Sequence, residues 1–136
     1  MDVALCSLEG NTLHYAGAHN PLWIIRSGTE EIEEIKADKQ PIGKTDNPTP
    51  YTTHKIDLNP GDTIYIFSDG YADQFGGEKG KKLKTVNFKK LLLSIKDQDM
   101  TVQKESIDEA FENWKGELEQ LDDVCVIGVR IWWKNY

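Results

Sequence analysis

Three aspartates stand where the sequence changes character. Asp69 closes the apolar run Ile64-Tyr65-Ile66-Phe67 after one serine, and Asp122-Asp123 open the apolar run Val124-Cys125-Val126-Ile127. Carboxylates are hard oxygen donors, and a cluster of them with room for water selects Mg²⁺ or Mn²⁺. An acid at the mouth of a buried strand is also held on a rigid support, and Gly70 behind Asp69 frees the backbone to turn away. The plainer reading is that Asp69-Gly70 only makes a turn, since Asp-Gly is among the commonest turn pairs, and local pattern alone does not separate the two.

The elements that must position these acids can be read from residue type and period. Ile64 to Phe67 joins β-branched and aromatic side chains and predicts a strand packed on both faces. The turn Leu58-Asn59-Pro60-Gly61-Asp62 feeds it, with Pro60 and Gly61 in the order of a type II turn. Earlier, Val3 to Leu8 and Leu13 to Tyr15 flank Glu9-Gly10-Asn11 as a hairpin. Leu22 to Ile25 is a fully apolar strand, and Ser27-Gly28 turns the chain back toward Ile32 and Ile35. Ala37 to Pro50 reads as a long surface loop around Pro41-Ile42-Gly43, and Tyr51 to Ile56 as an edge strand.

After Asp69 the period changes. Asn87 is placed to cap a helix with Phe88, Leu91, Leu92 and Ile95 on one face. A second helix carries the stripe Ile107, Ala110, Phe111, Trp114 and Leu118, and Leu121 to Ile131 closes the chain as a strand. Strands first, helices later and one final strand predict an α+β sandwich, organised as a single domain over residues 1–136. If the strands ending at Asp69 and beginning after Asp123 are antiparallel neighbours, the acids meet at one edge.

Composition narrows the function classes. A formal net charge of −7 argues against a nucleic-acid or anionic-membrane surface and suits an acidic metal site. With 136 residues, 38% of them hydrophobic, the chain can bury one sizeable core. No apolar run of about 18 residues and no charged-then-apolar leader is present, so a soluble cytoplasmic protein is expected. Cys6 and Cys125 lack metal spacing and lie in apolar runs, so both are expected to be buried structural thiols.

Taken in order, Ala16-Gly17-Ala18-His19-Asn20-Pro21-Leu22, Pro41-Ile42-Gly43, Gly61 to Asp73 and Asp122-Asp123-Val124 resemble motifs of a known family. It is the bacterial SpoIIE-type branch of the PP2C-like (PPM) metal-dependent protein serine/threonine phosphatases. The resemblance runs from about Leu13 to Arg130. It implies two packed antiparallel sheets flanked by helices, with a two-metal centre at one end of the sandwich. It further implies that Asp69 and Asp122 are ligands of Mn²⁺ or Mg²⁺, and that Asp73 serves an additional ion. The implied reaction is hydrolysis of phosphoserine or phosphothreonine on a bacterial signalling protein by a metal-activated water.

The sequence also departs from the family. Relatives begin with a further segment whose Asp-Gly motif supplies an aspartate that bridges the metals, whereas the only Asp-Gly pair here is Asp69-Gly70. The expectation is a C-terminal portion of a phosphatase domain, inactive alone. The alternative is a non-catalytic relative that binds a regulatory protein, and a third class is a plain β-rich structural module. Around the acids, Gly70 and Asp123 are expected beside the site. His19 is a candidate proton donor or a local hydrogen-bonding residue. Lys79, Lys81 and Lys82 form either a flap that attracts a phosphorylated protein or a solvated loop. Trp132 and Trp133 are candidates for a partner surface, although adjacent strand residues point to opposite faces and at least one is expected in the core. Finally, lacking the family's opening strands, Val3 to Leu8 and Leu22 to Ile25 are expected to be exposed edges through which the chain self-associates.

Overall fold

The computed structural model describes residues 1–43 and 47–132. Its elements, in chain order, are β1 (Val3–Glu9), β2 (Thr12–Ala18), β3 (Leu22–Ile25), β4 (Glu33–Ile35), β5 (His54–Asp57), β6 (Thr63–Phe67), α1 (Gly70–Asp73), β7 (Phe75–Gly76), β8 (Lys81–Lys82), α2 (Thr85–Ile95), α3 (Met100–Lys115) and β9 (Val126–Arg130). They form two compact units, Met1–Phe67 with Ile127–Tyr136, and Ser68–Val126. Lys44, Thr45 and Asp46 of the expected long loop, and Trp133, lie outside the described residues.

The first unit is built from two sheets, ordered β1-β2-β5 and β4-β3-β6-β9. Gly10 at φ 59 supplies the left-handed residue that a two-residue hairpin needs, and Glu9 pairs with Thr12 across it. Leu13 and Tyr15 of β2 and Ile56 of β5 meet Leu22, Ile24 and Ile64 of the other sheet in one core, so the two sheets pack face to face. Burying each of these large side chains contributes about 1.5–3 kcal/mol. β3 is buried along its whole length, and Trp23 on its other face packs on Phe67 with ring centroids 4.3 Å apart.

The entry to β6 is fixed by a buried carboxylate. Gly61 adopts φ 90 and Asp62 N–H donates to the Asn59 carbonyl at 3.0 Å, as the expected type II turn requires. The Asp62 carboxylate, 2% exposed, accepts the Asn59 and Ser27 N–H groups at 2.8 Å each and the Arg26 guanidinium at 3.0 Å. Burial alone raises its pKa, but these donors outweigh burial and hold it below the ordinary carboxylate value.

Two expectations need correction here. Leu22 to Ile25 is not an edge: the backbone of β3 pairs with β4 on one side and β6 on the other, and its side chains are buried on both faces. β1 is an edge, with Leu5 67% exposed. The cysteines differ as well. Cys6 is half-buried, with its thiol pKa pushed up by burial, whereas Cys125 is exposed, because the chain enters β9 only at Val126.

In the second unit, Tyr71 of α1 stacks on Phe88 of α2 at 4.4 Å and meets Phe111 of α3 at 5.1 Å. Its hydroxyl donates to the Ile107 carbonyl at 2.7 Å. Helix α2 begins at Thr85, two residues before the expected cap, and Asn87 instead donates from its side chain to the Leu83 carbonyl at 2.7 Å. Helix α3 begins well before its apolar stripe, because the Asp99 carboxylate caps it by accepting Val102 N–H at 2.9 Å. It stops at Gly116, φ 57, which leaves Leu118 beyond the helix and exposed. Among the described residues no helix is long and apolar enough to cross a membrane.

Candidate functional site

The acidic motifs are brought together by backbone pairing and by one serine hydroxyl, not by their own carboxylates. β6 and β9 are neighbours in the sheet; Gly61 N–H donates to the Ile131 carbonyl and Ile131 N–H to the Asp62 carbonyl, 2.8 Å each. Beyond Phe67, Ser68 N–H donates to the Cys125 carbonyl at 2.9 Å. The Ser68 hydroxyl then donates to the Asp123 carbonyl at 3.0 Å and accepts Cys125 N–H at 3.0 Å. Gly70 completes the contact: a Cβ there would run into the Asp123 carbonyl oxygen and stand 3.1 Å from a Val124 methyl.

That packing revises the reason for Gly70. It opens helix α1 with no positive φ, so the glycine is required for close approach of another backbone and not for a sharp turn. Asp69 is exposed at the head of α1, where its carbonyl accepts Asp73 N–H at 3.0 Å. Asp122 and Asp123 are exposed too, and the Asp122 carboxylate accepts Asp123 N–H at 2.8 Å, a short local ring that shapes the loop ahead of β9.

Asp73 closes α1 and lies 3.8 Å from the Lys82 ammonium, both side chains about half exposed. Lys82 also sits over the Phe75 ring, 5.9 Å from its centre. Lys81 and Lys82 form β8, which pairs with Phe75 and Gly76 in a small hairpin, and Lys79 is exposed in the turn between them. The segment read as either a flap or a solvated loop is a hairpin with a fixed base. Gly77 N–H donates to the Trp114 carbonyl at 3.0 Å, Trp114 Nε1–H donates to the Gln74 carbonyl at 2.8 Å, and Gln74 Nε2–H reaches Glu119 at 3.0 Å.

His19 belongs to the first unit, is exposed, adopts φ 64, and donates its N–H to the Asp38 carbonyl at 3.0 Å. Of the remaining histidines, His54 stacks on Tyr15 with ring centres 5.8 Å apart. Trp132 is 76% exposed.

The donor set fits part of a Mn²⁺ or Mg²⁺ centre. Asp69 and Asp122 have the right chemistry, and each is one residue from the Ser68–Asp123 contact. Among the described residues, however, no three His, Cys, Asp or Glu side chains are grouped to hold an ion. A two-ion centre needs donors beyond those brought together here. Sequence reasoning gave Ser68 no role of its own and placed Trp114 only in an apolar helix stripe. Ser68 stood in plain view within Ser-Asp-Gly, but its partners are more than 50 positions away.

The family described as Stage II sporulation protein E (SpoIIE) matches residues 1–132. The SiaA-PP2C domain of Pseudomonas aeruginosa superposes with a TM-score of 0.79 at 31% identity, over 89% of this chain and 47% of that one. The phosphatase domain of the cell fate determinant SpoIIE from Bacillus subtilis gives a TM-score of 0.65 at 19% identity, over 96% and 57%. The serine/threonine phosphatase PstP/Ppp of Mycobacterium tuberculosis gives 0.59 at 14% identity, over 93% and 58%. The chain thus spans about half the length of these structures. The shared architecture is the PP2C-like fold of antiparallel sheets and a few helices. No curated protein matches the chain.

Proposed function

Because the chain belongs to the Stage II sporulation protein E family, whose fold is that of PP2C-like protein phosphatases, we propose that it supplies the C-terminal part of a metal-dependent serine/threonine phosphatase site. The observation that carries this reading is the lacing of Ser68–Gly70 to Asp123–Cys125, which holds Asp69 and Asp122 on abutting segments. In this reading both acids hold Mn²⁺ or Mg²⁺, and Asp73 contributes toward a further ion. When bound, such ions polarise the phosphoryl oxygen and lower the pKa of an attacking water. The substrate is a phosphoserine or phosphothreonine of a bacterial regulatory protein in the cytoplasm, and Lys79, Lys81 and Lys82 attract its negative charge. Neither nucleic acid nor membrane is a partner of so acidic a chain.

In this reading the chain is inactive alone, because Asp69 and Asp122 make up only part of a two-ion donor set. The second reading is a non-catalytic module that binds a regulatory protein through the same face. Phosphate release from a phosphoserine peptide, with Mn²⁺ or Mg²⁺, separates them. The expected result is negligible turnover by this chain and full turnover by a longer domain that contains it, abolished by Asp69→Asn or Asp122→Asn. Turnover by this chain at the longer domain's rate refutes inactivity alone, and a longer domain without turnover leaves only the binding role.

Self-association is proposed through β1, the occupant being a second copy. The outer strands β4, β5 and β9 carry Glu33 and Glu34, Lys55 and Asp57, and Arg130, but β1 carries no charge before Glu9. Antiparallel pairing of two β1 strands about Cys6 sets Val3 against Glu9, Ala4 against Leu8 and Leu5 against Ser7, with no like charges opposed.

A further inference from the structure

We infer that Ser68 is a positioning residue whose hydroxyl pins the Asp122-Asp123 segment against Asp69-Gly70 ahead of regular strand pairing; the inference rests on the reading of Asp69 and Asp122 as acids of one site. β9 begins only at Val126, so Asp122 to Cys125 have no ladder of their own to hold them. Gln120 Nε2–H donates to the Asp122 carbonyl at 3.0 Å, within the same segment, and the tie across to Asp69-Gly70 is made by Ser68. Its backbone N–H reaches the Cys125 carbonyl, and its hydroxyl is used in both directions, donating to the Asp123 carbonyl and accepting Cys125 N–H. A hydroxyl is the smallest side chain that can do both at one atom.

The placement matters because each end of the clamp is one residue from an acid: Ser68 precedes Asp69, and Asp123 follows Asp122. Any shift in the Ser68–Asp123 spacing passes directly to both carboxylates. Gly70 adds the second constraint, since the Asp123 backbone occupies the space where any other residue has its Cβ. Ser68 is not a nucleophile here. Its proton goes to a backbone carbonyl, and among the described residues no base accepts it to activate the oxygen.

Two measurements on the whole chain test this. Without metal, amide exchange at Cys125 is expected to run about tenfold faster in Ser68→Ala than in the wild type, the loss of one hydrogen bond, and near the wild-type rate in Ser68→Thr, which keeps the hydroxyl. Unchanged exchange in Ser68→Ala overturns the clamp. With Mn²⁺ alone as a paramagnetic probe, the amide resonances of Asp69-Gly70 and of Asp122-Asp123 are expected to broaden with one common midpoint in the wild type. In Ser68→Ala the two midpoints are expected to separate. Midpoints that stay together despite faster exchange overturn the positioning role. A wild type in which Mn²⁺ broadens only one pair, or neither, overturns the shared-acid reading and with it the positioning role, while the metal-free exchange still decides the clamp.

Discussion

Trp114 and Gln74 are joined by the indole N–H, which donates to the Gln74 carbonyl at 2.8 Å, and the same tryptophan returns its own carbonyl to Gly77 at 3.0 Å. One residue of α3 thereby holds the base of the β7-β8 hairpin at two points. Space at Gly76 is absent as well, because an added Cβ would collide with the Trp114 carbonyl carbon and oxygen. Gly76→Ala is therefore expected to destabilise the chain by about 1–3 kcal/mol, read from urea unfolding. Wild-type stability in that variant would mean that the hairpin is not seated on Trp114.

Asp62 sets the acid limb of stability. Its pKa is depressed in the folded chain, because two backbone N–H groups and Arg26 outweigh burial. A depressed carboxylate contributes stability that is fully present above its unfolded pKa, about 3.9, and lost as pH falls through the lower folded value. Asp62→Asn is expected to flatten that loss below about pH 4. At neutral pH it is expected to cost about 2 kcal/mol or more, since an amide puts a donor where only donors point. Melting temperature against pH for both proteins is the check, and parallel curves would sink the assignment.

Charge on the hairpin is expected to act on substrate binding. In a longer domain, reversing Lys79 and Lys81 to Glu is expected to raise KM for a phosphoprotein several-fold with little change in kcat, an effect that shrinks as salt is raised. A fall in kcat with KM unchanged would place these lysines outside substrate capture.

Leu5 tests the β1 edge. Since its side chain is 67% exposed, Leu5→Lys leaves the fold intact while adding a charge to the strand. Sedimentation is expected to show a concentration-dependent dimer for the wild type and a monomer for the variant. A wild type that stays monomeric at high concentration rules the pairing out.

The parts of this fold that were legible in the sequence are those governed by short-range pattern. Leu22–Ile25 reads as a buried strand because four apolar residues leave it no polar face, and Pro60-Gly61 announces a turn because its backbone preferences are local. What stayed hidden depends on distant partners. Gln103 is 1% exposed in α3, satisfied by the Gln98 and Lys96 carbonyls, and a polar residue gives no apolar signal for its burial. For the acids, the strand mouths were visible, but the agent that joins them is a serine hydroxyl whose partners lie near the far end of the chain. Nothing near Ser68 in sequence predicts that.

The discontinuity of the first unit bears on the order of assembly. Ser68–Val126 is one uninterrupted stretch, whereas the four-stranded sheet takes β3, β4 and β6 from before that stretch and β9 from after it. Pairing β9 to β6 closes a long loop, and loop-closure entropy must be met before that contact returns anything. During synthesis the helical stretch emerges whole and can fold on its own contacts, while the sheet waits for its last strand. The Ser68 contacts with Asp123 and Cys125 lie within that uninterrupted stretch, so a chain released before β9 already holds every residue of the seam and lacks only the strand that completes the sheet.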